Sequence, residues 1–381
     1  KEGAIMVNIK TGKNIFVNVM LIFFISLMFF RPASGENTIK EEKSPSEGTD
    51  TIEEKTAPED NALIYGEFYF LQTVSTGEDN FNTLDSIGFE AYKKFAGETG
   101  DWGEGDIQFR MTYSPLKNMI VTPMPANFPA IGQPILHNAF INLKGNMGRS
   151  NVKIGHFDVP FGVEPDIDTH PTLLQSLHMY NFGYVKDWGI SLNGQLEDVD
   201  YEAGVFTGTG TDFVLDRGAW LVSGRITNPT ENDFRWGVSA AGGRTLREDG
   251  MIYSMWRAGF DTEYFYSQWT FKGEVYGGQT EGNPSYGVWG EADYMFPGQN
   301  LELELQFQHS SINTNMEDSD TTALIAGLTY RLSESWSFRT AYSHYFNLPG
   351  AGSTDQVGFQ LYFYGKSIED SDNEDNSSDK Y

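Results

Sequence analysis

Apolar and polar residues alternate with a period of two along most of this chain. Residues 301–308 read LELELQFQ, and residues 106–113 (DIQFRMTY), 234–240 (FRWGVSA) and 356–363 (QVGFQLYF) repeat the pattern. As strands, these segments place apolar side chains on one face and polar ones on the other, whereas a helix would scatter both sets. About sixteen such segments follow one another, centred near Phe68, Phe89, Phe109, Ile141, Ile154, Ile190, Ala203, Val222, Trp236, Ala258, Phe271, Ala292, Leu303, Ala326, Phe338 and Phe359.

The predicted connections between these strands alternate in length. Short ones follow even-numbered strands at 97–104, 146–150, 197–199, 228–233, 297–300 and 333–335. Longer ones follow odd-numbered strands at 114–132, 158–186, 208–218, 243–253, 310–320 and 347–354. Short periplasmic turns, long outer loops and an even strand number are typical of transmembrane barrels. We therefore predict an all-β fold, a transmembrane antiparallel β-barrel of about 16 strands over residues 62–366.

Composition favours a barrel over other membrane folds. Hydrophobic residues make up 39% of the 381 residues, with 41 Gly, 28 Phe and 19 Tyr, and the mean hydropathy is −0.41. Helical membrane proteins need about twenty apolar residues per span. The net charge of −27 argues against nucleic acid as a partner. Without cysteine the chain has no disulfide framework, thiolate metal site or haem-attachment motif.

The two ends of the chain differ from the alternating part. Residues 15–30 form an apolar run that follows Lys10 and Lys13 and precedes the small residues 33–35 (ASG). This order predicts a secretory signal peptide over residues 1–35, with a mature start near Glu36. The alternative, a membrane anchor, is less favoured because the run is short and contains Asn18. Residues 36–61 and 367–381 are acidic and predict a disordered periplasmic tether and a disordered tail.

The longest predicted connection, 158–186, is the first candidate for a functional element. A loop of this length inside a compact domain is normally functional or disordered. We expect it to bend and fold into the lumen, because proline fixes φ and glycine allows positive φ. The alternative is a surface turn. The residues expected at a pore constriction are Pro160, Phe161, Gly162, Glu164, Asp166, Asp168 and His170. The loop carboxylates could also bind Ca²⁺, although 164–168 (EPDID) lacks the full spacing of a calcium loop.

Charged residues fall on the polar phase of the predicted strands and therefore face the lumen. The basic residues expected to line it are Arg110, Lys153, Arg225, Arg235 and Arg257. The last three lie on consecutive predicted strands and could form a basic arc that holds anions and governs ion preference. The alternative is that they solvate the wall and pair with lumen carboxylates. We find no nucleophile elbow, no phosphate-binding lysine after residues 208–210 (GTG) and no metal-ligand histidine pair, and so predict no enzyme activity, metal or cofactor.

Two motifs carry a resemblance to a known family. Residues 152–164 (VKIGHFDVPFGVE) resemble the GRFxxPFGxE stretch of the phosphate-selective porin O and P family. Residues 186–190 (KDWGI) resemble the RDxG that opens that family's next strand. The resemblance implies a sixteen-stranded outer-membrane barrel, often trimeric. Phosphate selectivity is not carried over, because His156 stands where the family has a basic residue and the chain is acidic. The family's terminal aromatic is also followed here by the acidic tail.

These observations together predict a passive outer-membrane porin for small hydrophilic solutes or ions, narrowed by loop 158–186. It would contact lipid and lipopolysaccharide and form a possible homotrimer. The alternative is a barrel that serves as a sleeve or docking protein for a partner such as an electron-transfer cytochrome. Bilayer conductance separates the two, since a sleeve gives no steady ohmic steps.

Overall fold

A closed antiparallel barrel of sixteen strands accounts for nearly all the secondary structure of the described residues. The computed structural model describes residues 63–75, 81–97, 100–113, 133–163, 186–211, 213–215, 218–229, 231–246, 251–298, 300–313, 318–348 and 352–366. The predicted signal peptide, tether and tail lie outside these residues. Each strand pairs with its neighbours in sequence, and β1 pairs with β16 to close the barrel.

All sixteen predicted strand centres lie within strands. The strands are β1 Leu63–Ser75, β2 Phe81–Gly97, β3 Gly100–Tyr113, β4 Gln133–Leu143, β5 Asn151–Asp158, β6 Lys186–Gln195, β7 Asp200–Phe206, β8 Trp220–Thr227, β9 Phe234–Leu246, β10 Ile252–Tyr266, β11 Trp269–Thr280, β12 Asn283–Met295, β13 Leu301–Asn313, β14 Asp318–Arg331, β15 Trp336–Leu348 and β16 Gly352–Lys366. A single 3₁₀ turn, Asn146–Gly148, is the one helical element among the described residues.

The outer face of the barrel is apolar. Exposed large side chains follow the predicted phase on every strand, for example Phe68 and Phe70 on β1 and Val222 and Ile226 on β8. Contiguous apolar surface on this scale exceeds what a soluble monomer exposes. Closing the sheet removes every strand edge, which is the condition for strands to cross lipid. Among the described residues, no helix is long and apolar enough to cross a membrane.

Aromatic side chains gather on the outer face near the barrel end that carries the short turns. Trp269 and Tyr294 pack with ring centroids 4.7 Å apart, and Tyr294 meets Phe296 at 4.9 Å. Trp336, at the start of β15, packs against Phe363 on β16, with ring centroids 5.0 Å apart. Such girdles lie at the lipid–water interface of membrane barrels, where amphipathic rings are favoured.

Long loops are confined to the first half of the barrel. They join β3 to β4, β5 to β6 and β7 to β8. The expected longer connections at 243–253, 310–320 and 347–354 are mostly strand, since β9 runs to Leu246, β13 to Asn313 and β15 to Leu348. Apolar and polar residues alternate less regularly near these strand ends. The sequence pattern therefore predicts shorter strands than the hydrogen-bonded ones in the structure.

One group of residues on the apolar phase is buried, contrary to the alternation. His156 and Trp188 are register partners two residues along from the exposed pair Ile154 and Ile190, yet they are only 1% and 5% exposed. Trp188 packs edge-on against Phe213, with ring centroids 5.4 Å apart, and its Nε1 donates to the carbonyl of Thr211 at 3.2 Å. The segment that follows β7 therefore covers this part of the outer wall.

Candidate functional site: the lumen and the segment after β5

The chain turns into the barrel where β5 ends at Asp158. Residues 159–163, which we call the inner segment, are all buried. The amide of Phe161 donates to the carbonyl of Val159 at 2.8 Å, which closes a three-residue turn around Pro160. Gly162 follows with φ at +67°, in the left-handed region that glycine tolerates. The backbone therefore bends at Pro160, Phe161 and Gly162, the residues that the sequence marked.

Three hydrogen bonds tie the inner segment to inward-facing residues of distant strands. Ser223 Oγ on β8 donates to the carbonyl of Pro160 at 2.8 Å. The amide of Gly162 donates to Ser239 Oγ on β9 at 3.0 Å, and the amide of Val163 donates to Glu274 Oε2 on β11 at 3.4 Å. The inner segment thus runs along the inside of the wall from β5 towards β11.

Glycine at position 162 suits the positive φ and leaves room for a neighbouring side chain. A Cβ there would lie 2.7 Å from both carboxylate oxygens of Glu274. The inner segment also lies close to Gly259 on the inner face of β10, where a Cβ would lie 3.2 Å from Phe161 Cζ. Small residues at these points let the inner segment lie against the wall.

Apolar packing adds to the hydrogen bonds. Phe157, Val159, Phe161 and Val163 form one buried cluster with inward side chains from β7 to β12, namely Phe206, Leu221, Ala241, Met255, Tyr276 and Trp289. The rings of Phe161 and Tyr276 meet edge to face, with centroids 6.4 Å apart. Burying a side chain of this size is worth about 1.5–3 kcal/mol, so the cluster holds the inner segment in place.

The three arginines of the predicted arc lie on the inner face of consecutive strands β8, β9 and β10. Arg225 Nη2 is 2.7 Å from Asp261 Oδ1, and Arg235 Nη1 is 3.0 Å from Glu263 Oε2. The Arg257 guanidinium lies over the ring of Tyr276, 5.2 Å from its centroid. Arg225 and Arg235 are therefore held directly against carboxylates.

The Arg225–Asp261 pair spans an intervening strand. Arg225 is on β8 and Asp261 on β10, and Gly237 of β9 lies between them. A Cβ at Gly237 would lie 2.6 Å from the Asp261 carboxylate and 2.9 Å from Arg225 Nε. The glycine makes room for the ion pair, whose side chains are only 8% and 3% exposed.

The other two predicted basic residues are also paired on the inner wall. Arg110 on β3 binds Glu67 on β1 through Nε and Nη2, and Tyr362 on β16 donates to the same carboxylate at 2.7 Å. This cluster crosses the seam where β1 meets β16. Lys153 Nζ on β5 contacts both oxygens of Glu202 on β7, at 3.0 and 2.9 Å.

Glu164, Asp166, Asp168 and His170, the remaining predicted constriction residues, lie outside the described residues. Within the described part of the chain, no group of three or more His, Cys, Asp or Glu side chains could hold a metal ion.

Sequence reasoning missed several wall residues that the structure brings to the site. Asp261 and Glu263 lie four and six residues after Arg257 on β10, so the same alternation that placed the arginine would have placed them in the lumen. Ser223 and Ser239 also fall on the polar phase, but nothing in the sequence indicates that they bind the inner segment.

Comparison with known proteins gives a likeness of fold. No family model matches the chain, and no curated protein matches it. Three solved structures illustrate the likeness. The outer-membrane channel DcaP of Acinetobacter baumannii has a TM-score of 0.56 at 10% identity, covering 80% of this chain and 97% of its own. The anion-selective porin of Comamonas acidovorans has 0.55 at 10%, covering 80% and 99%. OmpT of Vibrio cholerae in its trimer form has 0.53 at 11%, covering 80% and 99%.

These identities are too low to transfer function, so the likeness shows the sixteen-stranded porin-like barrel alone. Residues 152–164 resemble the phosphate-selective porin O and P family, but no family model matches the chain, so the comparisons do not assign it to that family.

Proposed function

We propose that this protein is a passive outer-membrane porin, through which small hydrophilic solutes or ions diffuse. The path is bounded by the polar inner wall and narrowed by loop 158–186. The observation that carries the proposal is the inner segment, which lies inside a closed barrel and is tied to β8, β9 and β11. An apolar outer face and a charged inner face support the same reading.

Selection in this proposal depends on width and on wall charge. Pro160, Phe161 and Gly162 form the base of the constriction, and Glu164, Asp166, Asp168 and His170 extend it along the loop. Arg110, Lys153, Arg225 and Arg235 line the path together with the carboxylates that bind them, and Arg257 lines it beside Tyr276.

Cellular placement follows from the proposed function. A signal peptide over 1–35 would export the chain to the bacterial outer membrane, where lipid and lipopolysaccharide surround the barrel. The trimer form of Vibrio cholerae OmpT and the resemblance to the phosphate-selective porin O and P family support a homotrimer.

Single-channel recording of the purified, folded protein in a planar bilayer tests the proposal. We expect steady ohmic current steps that disappear when the protein is heat-denatured. Folded protein that inserts into the bilayer without conducting would contradict the porin and favour the sleeve for a redox partner.

A further inference from the structure

Two carboxylates on the inner face of β3 receive hydrogen bonds from neutral groups alone. Glu104 accepts from the Tyr92 hydroxyl at 2.8 Å and from Asn142 Nδ2 at 3.1 Å. Asp106, two residues along the same face, accepts from Asn138 Nδ2 at 2.9 Å. Within the described part of the barrel neither carboxylate forms an ion pair.

Two lysines lie near these carboxylates, but neither forms an ion pair with them. Lys186 is close enough to interact electrostatically with Asp106, but its ammonium binds both oxygens of Asp158, at 2.6 and 2.7 Å. Lys94, the register partner of Glu104, is exposed. Glu90 adds a further negative charge beside Asp106.

Unmatched acceptor atoms lie in the same cluster and are a second observation. Asp106 is 5% exposed, and its Oδ1 has no hydrogen-bond partner, nor has the buried Oδ1 of Asn138 beside it. Leaving a buried polar atom unpaired costs about 1–3 kcal/mol, so such atoms call for a partner. Two adjacent oxygens without a donor suit a cation or its hydration water.

The opposite wall has little positive charge to set against them. Arg225 and Arg235 are bound to Asp261 and Glu263. Lys272 is shared between Glu291 and Asp293, each at 2.8 Å, so one cation there faces two carboxylates. Arg257 lies over an aromatic ring on the outer-loop side of the inner segment.

We propose that the channel prefers small cations, and that Glu104 and Asp106 on β3 determine this preference. The inference rests on the proposed porin function and names its substrate class. Fixed charge on a pore wall raises the local concentration of the opposite ion and lowers that of the like ion.

Reversal potential in a KCl gradient at pH 8, with wild type beside Glu104→Gln/Asp106→Asn, tests this proposal. A unit charge about 4 Å from an ion, at the dielectric constant of water, raises the K⁺ concentration about fivefold and lowers the Cl⁻ concentration about fivefold. We therefore expect wild type to pass K⁺ on the order of 25-fold more readily than Cl⁻. The double variant should bring the ratio close to one, because both substitutions keep shape and remove charge.

The matched control is Glu197→Gln/Asp198→Asn, which removes two carboxylates from the exposed turn between β6 and β7. It should leave the ratio at the wild-type value. An anion-selective wild type would show that Arg257 and its neighbours dominate the field, and would overturn the proposal. So would a double variant that conducts with unchanged selectivity. Folded protein without any conductance would remove the proposed porin function and this inference with it.

Discussion

Removing the serine hydroxyls that hold the inner segment should change the conductance of the channel. In Ser223→Ala/Ser239→Ala, the carbonyl of Pro160 and the amide of Gly162 lose their partners, at 2.8 and 3.0 Å. Both serines are nearly fully buried, at 1% and 2% exposure, so bulk water does not simply replace them. Each buried group left unpaired costs about 1–3 kcal/mol, so the variant should loosen the segment by about 2–6 kcal/mol.

A loss of this size competes with the apolar packing of the segment. Phe161 and Val163 each contribute about 1.5–3 kcal/mol by burial, so the segment should leave the wall for part of the time rather than permanently. We expect added current fluctuations and a changed mean single-channel conductance in planar bilayers. The heat-modifiable migration of the folded barrel should be unchanged.

The control for this prediction is Ser310→Ala/Ser343→Ala. These serines are also inward-facing and buried, at 6% exposure each, but they lie on β13 and β15, away from the inner segment. The control should conduct like wild type. If the Ser223/Ser239 variant folds and its current trace matches that of the control, the bonds do not hold an element that bounds the path.

Three further changes probe other parts of the account. Gly162→Ala forces a left-handed φ on alanine and places a Cβ 2.7 Å from Glu274, so thermal unfolding of the barrel should begin at a lower temperature. Gly282 is also at positive φ but has open space around it, so Gly282→Ala should lower the unfolding temperature less. Asp261→Asn leaves Arg225 buried without its charge partner and should destabilise the barrel by about 3–5 kcal/mol in denaturant unfolding. The double variant Arg225→Met/Asp261→Leu should lose less stability, because it leaves no buried charge. Equal losses in the two variants would mean that the pair is not buried as a unit. Mass spectrometry of membrane-extracted protein should find a start near Glu36, and retention of residues 15–30 would remove the signal-peptide prediction.

The barrel could be predicted from sequence because alternation is a local property. A one-residue slip exchanges the lipid and lumen faces, so Phe68 or Leu305 on the wrong face would carry a large cost and the pattern is preserved in every strand. The bend at Pro160 and Gly162 is equally local, since it depends on the two residues with special backbone freedom.

The charge pattern of the lumen could be predicted only in part. Sequence placed Arg225 and Arg235 inward, but their partners depend on register across strands and on the space that Gly237 leaves. Arg225 pairs with Asp261 and Arg235 pairs with Glu263, so part of the positive charge of the predicted basic arc is neutralised. Burial of His156 and Trp188 on the outer phase also escaped prediction, because it depends on how the segment after β7 folds back.

Thiol modification of adjacent residues tests most directly whether the polar face of the wall lines an open aqueous path. The chain has no cysteine, so a single one can be introduced at Lys153, which faces inward with 18% side-chain exposure, or at Ile154, which faces outward. A charged, membrane-impermeant thiol reagent added during bilayer recording should reduce the current of Lys153→Cys in discrete steps. It should leave Ile154→Cys unchanged. Equal responses of the two variants, or block of Ile154→Cys alone, would contradict a conducting lumen bounded by this face.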